Sequence, residues 1–336
     1  MRRSLVAATV GALVMLGGAS AASAGAGSAD SGGSQAGRDA KYDIALIGDM
    51  PYGDSGRVEF PRVINEINAD RNIAFTVFDG DTKNGSERCD QWQYDLAAKN
   101  FASFRRPLVY VPGDNEWTDC DRPSAGGYNA GERLGLVRRM FAATPKSLGR
   151  QKLGLTRQSA AYPENVRWQY GAVTYLGVNV TGSDNNAPQF DSSGKQVDGD
   201  LAEYTGRNAA NLDWLDRGFA EARTAKAKAI VIDIQSNMWA TDDPTVHFAD
   251  TKRKLAQLSI GFPGQVLLVN GDSHVLQIDK PLTDAKGQNI ENVTRLQTFG
   301  STQNHWVSAH IDPSDPQVFT FHQHIVKANE PTYVSP

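Results

Sequence analysis

Cysteine is scarce in this chain of 336 residues, with Cys89 and Cys120 its only two. That excludes a disulfide-dense scaffold and leaves no Cys-x-x-Cys pair for redox or zinc chemistry. Positive charge is scarce too: the formal net charge is −4 and no long basic run occurs, so a nucleic-acid partner is not expected. Long apolar segments are missing. The longest, "LVAATVGALVML", has 12 residues, short of the roughly 20 needed to span a bilayer. Also absent are a Gly-x-Ser-x-Gly elbow, a Gly-Lys-Ser/Thr phosphate loop and a dinucleotide fingerprint, which removes the familiar nucleophilic, P-loop and dinucleotide-dependent mechanisms.

What is present begins with an address. Arg2 and Arg3 precede the short apolar segment, and small residues lead to "AASA" at Ala24, the pattern of a cleaved export signal over residues 1–24. Residues 25–40, with "GAGSADSGGSQAGR", are too poor in large apolar groups to offset ordering and read as a flexible linker. Residues 41–336 then form one domain, secreted, periplasmic or on the cell surface, with no stable membrane span after cleavage. In such a compartment Cys89 and Cys120 are expected to form a disulfide.

Five short runs are apolar on both faces: "IALI" (44–47), "IAFTVF" (73–78), "LVYV" (108–111), "AIVIDI" (229–234) and "VLLV" (266–269). Continuous apolarity marks strands buried on both faces. Helical patterns alternate with them at Val58–Ala69, Gln91–Phe104, Glu132–Phe141, Asn208–Ala222 and Lys252–Leu258, so the fold class is α/β. The later segments "RWQYGAVTYLGVNV", "NVTRLQTFG", "HWVSAHI" and "QVFTFHQHI" are β-branched and aromatic. They read as antiparallel additions that make the sheets mixed.

Gly-Asp occurs six times, against roughly two expected from ordinary composition. Four of the pairs sit just after apolar runs: Gly48-Asp49, Gly80-Asp81, Gly113-Asp114 and Gly271-Asp272. Glycine permits a sharp turn at a strand end, and Asp is the shortest anionic ligand that can then face a shared point. Asp also suits turns and helix N-caps, which explains any one of these positions alone. Four at once, with His274 two residues beyond Asp272, point to a cation site, because converging carboxylates repel unless neutralised.

In order and spacing, "GDMP" (48–51), "GD" (80–81), "GDNE" (113–116), "IQSN" (234–237) and "GDSH" (271–274) resemble the motifs of the calcineurin-like metallophosphoesterases. The resemblance covers roughly residues 42 to 275. It implies an αββα sandwich of two mixed β-sheets flanked by helices, with one or two divalent metal ions and a small phosphorylated substrate. Carried onto this chain, one metal would take Asp49, the bridging Asp81 and His274. The other would take Asp81, Asp114, Gln235 and Asp272, with Asn115 as the amide ligand in a register shifted by one.

The spelling departs from the family at several points. Pro51 replaces a ligating His, Gln235 replaces the lone His, and Asp272 replaces the first His of Gly-His-x-His. Such an oxygen-rich set favours Mn²⁺, Mg²⁺ or Ca²⁺, with iron and zinc left open. Asn115 stands where the family has its substrate-facing His, so catalysis falls to Asn115 as a hydrogen-bond donor or, in the shifted register, to Glu116. Tyr52, Lys83, Asn84 and His305 are the candidate substrate contacts, and Trp117 a candidate stacking surface. The competing reading is a secreted, non-catalytic binding protein that keeps the fold and one structural cation.

Overall fold

Strands apolar on both faces need partners on both faces, and the computed structural model, which describes residues 35–240 and 247–331, supplies them in four layers. In chain order the strands are β1 (Tyr42–Ile47), β2 (Ile73–Phe78), β3 (Leu108–Tyr110), β4 (Thr156–Arg157), β5 (Val166–Tyr170), β6 (Val173–Gly177), β7 (Gln189–Phe190), β8 (Gln196–Asp198), β9 (Ala229–Asp233), β10 (Gln265–Asn270), β11 (Gln277–Asp279), β12 (Val293–Gln297), β13 (Trp306–Ile311) and β14 (Phe319–His324). One sheet has the order β14-β13-β1-β2-β3, the other β11-β12-β10-β9-β6-β5-β4, and β7-β8 is a separate hairpin. Both large sheets are mixed, with β1, β2 and β3 mutually parallel in the first and β6, β9, β10 and β12 in the second.

Side chains alternate across each strand, so each sheet feeds two cores. Ile44 and Leu46 of β1 meet Phe75, Val77, Val231, Leu267 and Val269 between the sheets. Ala45 and Ile47 face the other way, onto Phe60, Val63, Ile64 and Ile67 of the helix Gly53–Ala69 and Phe101 of the helix Gln91–Phe101. Across the sandwich, Ile230, Ile232 and Leu268 pack on Trp214, Leu215 and Phe219 of the helix Leu201–Thr224 and Leu255 of the helix Ala249–Ile260. The expected αββα sandwich is therefore the observed fold.

Two differences have physical causes. The helix read as Asn208–Ala222 starts at Leu201 because the Asp200 carboxylate caps it, accepting the Ala202 and Glu203 amides at 2.9 and 3.1 Å. Its first turns are polar and show no apolar stripe. Of the later segments, β5, β13 and β14 pair antiparallel as expected, whereas β6 is parallel to β9 and antiparallel only to β5, and β12 is parallel to β10 and antiparallel only to β11.

The expected signal, 1–24, and most of the linker lie outside the described residues. The linker's last part forms a helical turn, Gln35–Arg38, whose Arg38 guanidinium donates to the Ala225 carbonyl at 2.6 Å. Among the described residues no helix is long and apolar enough to cross a membrane.

Candidate metal centre at the strand ends

Each of β1, β2 and β10 hands over to a Gly-Asp pair, and the turn is made by the acid. Asp49, Asp81 and Asp272 adopt left-handed conformations, with φ of 51°, 61° and 73°. Gly80 shares that region at φ 94°, but Gly48, Gly113 and Gly271 do not need it. Their glycine answers to crowding. A Cβ on Gly113 would collide with the Asp81 carboxylate, one on Gly48 with Asp79, and one on Gly271 with Asp49. The sharp-turn role expected of these glycines therefore applies at Gly80, while the other three are glycine for want of space.

Two linked groups result. At one end Asp49, fully buried, accepts the Asp272 amide on both oxygens at 3.1 and 3.0 Å. His274 directs Nε2 to 3.5 Å from Asp49 Oδ1, while its Nδ1 meets the Ser301 carbonyl at 2.7 Å. A carbonyl only accepts, so Nδ1 carries hydrogen; this contact fixes the ring as ligating histidines are fixed. At the other end Asp81 Oδ1 accepts the Asn115 amide at 3.1 Å. Its Oδ2 receives Tyr52 Oη at 2.9 Å, Asn115 Nδ2 at 2.7 Å and Gln235 Nε2 at 3.2 Å. Gln235 Nε2 also reaches Asp114 Oδ1 at 3.0 Å, and Ser183 Oγ donates to Asp114 Oδ2 at 2.8 Å.

Whether these residues fit metal ions differs between the two ends. Among the described residues no three His, Cys, Asp or Glu side chains form a metal-holding group. The Asp49–His274 end presents a carboxylate and an imidazole nitrogen to each other at 3.5 Å, and Asp81 and Asp272 both feel the Asp49 charge; these are donor types that suit a divalent cation. At the Asp81–Asp114 end the intervening atoms are amide nitrogens. Gln235 and Asn115 act there as donors, so the expected ligation by their oxygens is not what the structure shows.

With that geometry in place, solved structures can be compared. A dimetal phosphatase from Danio rerio superposes with a TM-score of 0.51 at 12% identity, over 85% of this chain and 96% of that one. This chain has the metallophosphatase fold. A purple acid phosphatase from yellow lupin gives a TM-score of 0.48 at 12% identity, over 85% of this chain and 54% of that one. A calcineurin-like phosphoesterase from Bacillus subtilis gives 0.44 at 10% identity, over 87% and 92%. No protein-family model matches the sequence, and no curated protein matches it significantly.

The other expected site residues take different places in the metallophosphatase fold. Glu116 is buried with both oxygens engaged: Oε1 accepts the Thr82 amide at 2.5 Å and Oε2 the Gly113 amide at 3.0 Å. It clasps two strand-end loops, which fits the unshifted register. Lys83 is buried, and Nζ donates to the carbonyls of Asn84 and Glu87 at 3.1 and 2.9 Å. Asn84 Oδ1 caps the Ser86 amide at 2.8 Å. These two residues shape their own loop instead of reaching for a phosphate. His305 lines a cavity of about 470 Å³ with Phe299, Thr302 and Ile325, and none of the clustered acids borders it. Trp117 is fully buried beneath the Arg207 guanidinium, 5.1 Å from its ring centre, and is closed to a substrate.

Cys89 and Cys120 do form a disulfide, with Cα atoms 5.6 Å apart and a sequence separation of 31. It joins the loop after Asp81 to the 3₁₀ turn Thr118–Asp121. Replacing both cysteines by alanine is expected to cost about 3–4 kcal/mol in urea unfolding, the entropy of a loop this long.

Several residues at the site carry signals too weak to read from sequence. Asp79 and Asp233 lie under the cluster, each fully buried, and Asp79 Oδ1 and both Asp233 oxygens lack a hydrogen-bond partner. Burial, and for Asp79 the charges of Asp49 and Asp233, raises the proton affinity of both well above that of an ordinary carboxylate. Their one visible cue is a carboxyl closing an apolar strand. Ser183 sits in a run of left-handed residues, Ser183 to Asn186, that no local pattern announces.

Burial first, then mutual repulsion, raises the clustered acids themselves. Asp81 is pushed up by burial and by Asp114, Glu116 and Asp49, and Asp49 by burial despite its His274 hydrogen bond. Asp272 is raised to about 7 by burial and the Asp114 charge, and Asp119 to about 7 by the same two causes. The sign of the stability effect follows. Below about pH 4 such an acid is protonated folded or unfolded; between about 4 and 7 the unfolded chain ionises while the folded one holds its proton. The stability these raised acids contribute to the metal-free protein is therefore complete below about pH 4 and lost as pH rises towards 7, by roughly a few kcal/mol. Melting curves in chelator across that range should show the fall, and Asp119→Asn should flatten it.

Proposed function

We propose that the protein is an exported, divalent-cation-dependent phosphoesterase acting on a small phosphate mono- or diester. The observation that carries this reading is the gathering of Asp49, Asp81, Asp114 and Asp272 at adjoining strand ends, where the Asp114 charge raises the proton affinity of the other three. Buried anions that repel are costly unless a cation or protons neutralise them. A cation held by Asp49, Asp81 and His274 would supply a Lewis acid and acidify bound water.

The chain's own residues do the rest. The Ser301 carbonyl sets the His274 ring, and the Asp272 amide holds Asp49 in place. Asn115 and Tyr52 both donate to Asp81 Oδ2, and Asn115 donates also to the Tyr52 hydroxyl, so together they hold that carboxylate in place. Asn115 carries no titrating proton, so the leaving group must be protonated by water or depart as an anion.

The competing reading, a non-catalytic binding protein, is favoured by the amide nitrogens at the Asp81–Asp114 end. Assays of the chelator-treated protein on p-nitrophenyl phosphate and bis-p-nitrophenyl phosphate, with Mn²⁺, Mg²⁺ or Ca²⁺ restored, separate the two. Hydrolysis that returns with a cation and is lost in His274→Ala supports the enzyme. Bound cation without turnover on either ester supports the binder.

A further inference from the structure

We infer that Gln235 closes one of the two cation positions implied by the fold, so that the centre takes a single divalent cation at its Asp49–His274 end. This rests on the phosphoesterase reading and narrows it. The orientation of the Gln235 amide is settled by chemistry, because the atom 2.6 Å from the Gly182 backbone N–H must be an acceptor. Oε1 therefore faces Gly182, with Thr181 Oγ1 at 3.4 Å as a second donor, and Nε2 faces Asp114 and Asp81. A flip would set N–H against N–H at Gly182 and oxygen against two carboxylates.

Nor can the side chain swing away. Gln235 is fully buried, and its Cγ packs against Gly80 so closely that a Cβ there would stand 2.9 Å from it. The Asn115 amide reinforces it, placing a second nitrogen 2.7 Å from Asp81 Oδ2. Three donors on one carboxylate oxygen leave it little capacity to bridge two metals, and the N–H dipoles supply the positive potential that a second cation would bring. The Asp49–His274 end is different. Among the described residues no side-chain amide donates to Asp49, the imidazole is held by its far nitrogen, and its side chain is 30% exposed, which gives an entry path.

The test counts metal in the full-length mature protein. After loading with Mn²⁺ and desalting, elemental analysis should give one equivalent per chain, with an electron paramagnetic resonance spectrum of isolated Mn²⁺. Gln235→His and the near-isosteric Gln235→Glu replace the donor with a ligand, and each should raise binding to two equivalents with an exchange-coupled spectrum. Two coupled ions in the wild type would overturn the inference while leaving the phosphoesterase reading intact. So would either variant staying at one equivalent with an unchanged melting temperature. No bound Mn²⁺ in the wild type would instead overturn the cation-dependent reading on which the inference stands.

Discussion

Asp81→Asn should abolish cation-dependent hydrolysis, lowering kcat/KM by about a thousandfold or more, the loss when charge stabilisation worth roughly 4 kcal/mol disappears. Asp81 is the acid nearest to everything else at the centre, accepting from Asn115, Tyr52 and Gln235 and feeling the charges of Asp114, Glu116, Asp49 and Asp272. The substitution keeps shape and removes a buried negative charge. In chelator, the variant should consequently melt no lower than the wild type near pH 7, while the stabilisation by Mn²⁺ is lost. A variant that stayed active, or that kept its Mn²⁺-dependent rise in melting temperature, would remove Asp81 from the proposed centre.

The largest expected loss of stability lies one layer out, at Arg207. This guanidinium is fully buried in the helix Leu201–Thr224 and donates in every direction. It reaches Glu203 at 2.7 and 3.0 Å, the Asn179 carbonyl at 2.9 Å, and Asn185 Oδ1 and carbonyl at 2.6 and 2.7 Å, while lying over Trp117. Arg207→Ala would leave three buried acceptors and a carboxylate short of donors, at a cost of about 3–5 kcal/mol. Lysine keeps the charge but cannot reproduce the fork, so Arg207→Lys should fall between. Because the same guanidinium ties down Asn185, next to the run that brings Ser183 onto Asp114, activity should fall beyond what unfolding explains. Urea denaturation with Arg217→Ala as control supplies the measurement, since Arg217 makes an exposed i,i+4 pair with Asp213 that is worth at most about 0.5 kcal/mol. An Arg207→Ala cost as small as the control's would refute the assignment.

The contrast between what could and could not be read from the sequence follows from the range of the forces involved. Runs such as "IALI" and "AIVIDI" announce doubly covered strands because burial on both faces is a property of each residue in turn. The Gly-Asp pairs were equally legible, since a turn and its acid are neighbours in the chain. The role of Gln235 was not: which amide atom faces the carboxylates is decided by the Gly182 peptide, 53 residues away in sequence. Lys83 misled for a related reason. Its charge suggested a phosphate, yet two backbone carbonyls within four residues claim its nitrogen and burial lowers its pKa. Asp79 and Asp233 each close an apolar run in sequence, and nothing local to either run announces that the fold buries both acids completely.

The space beside three of the glycines is filled by an acid from a different strand end, Gly113 by Asp81, Gly48 by Asp79 and Gly271 by Asp49. Each pair works as an interlock in which neither partner can grow while the other keeps its size. In an evolving lineage these positions are therefore expected to change together. A double substitution that enlarges a glycine and shortens its acid should be better tolerated than the glycine change alone. The centre can drift in composition, but only by steps taken two residues at a time.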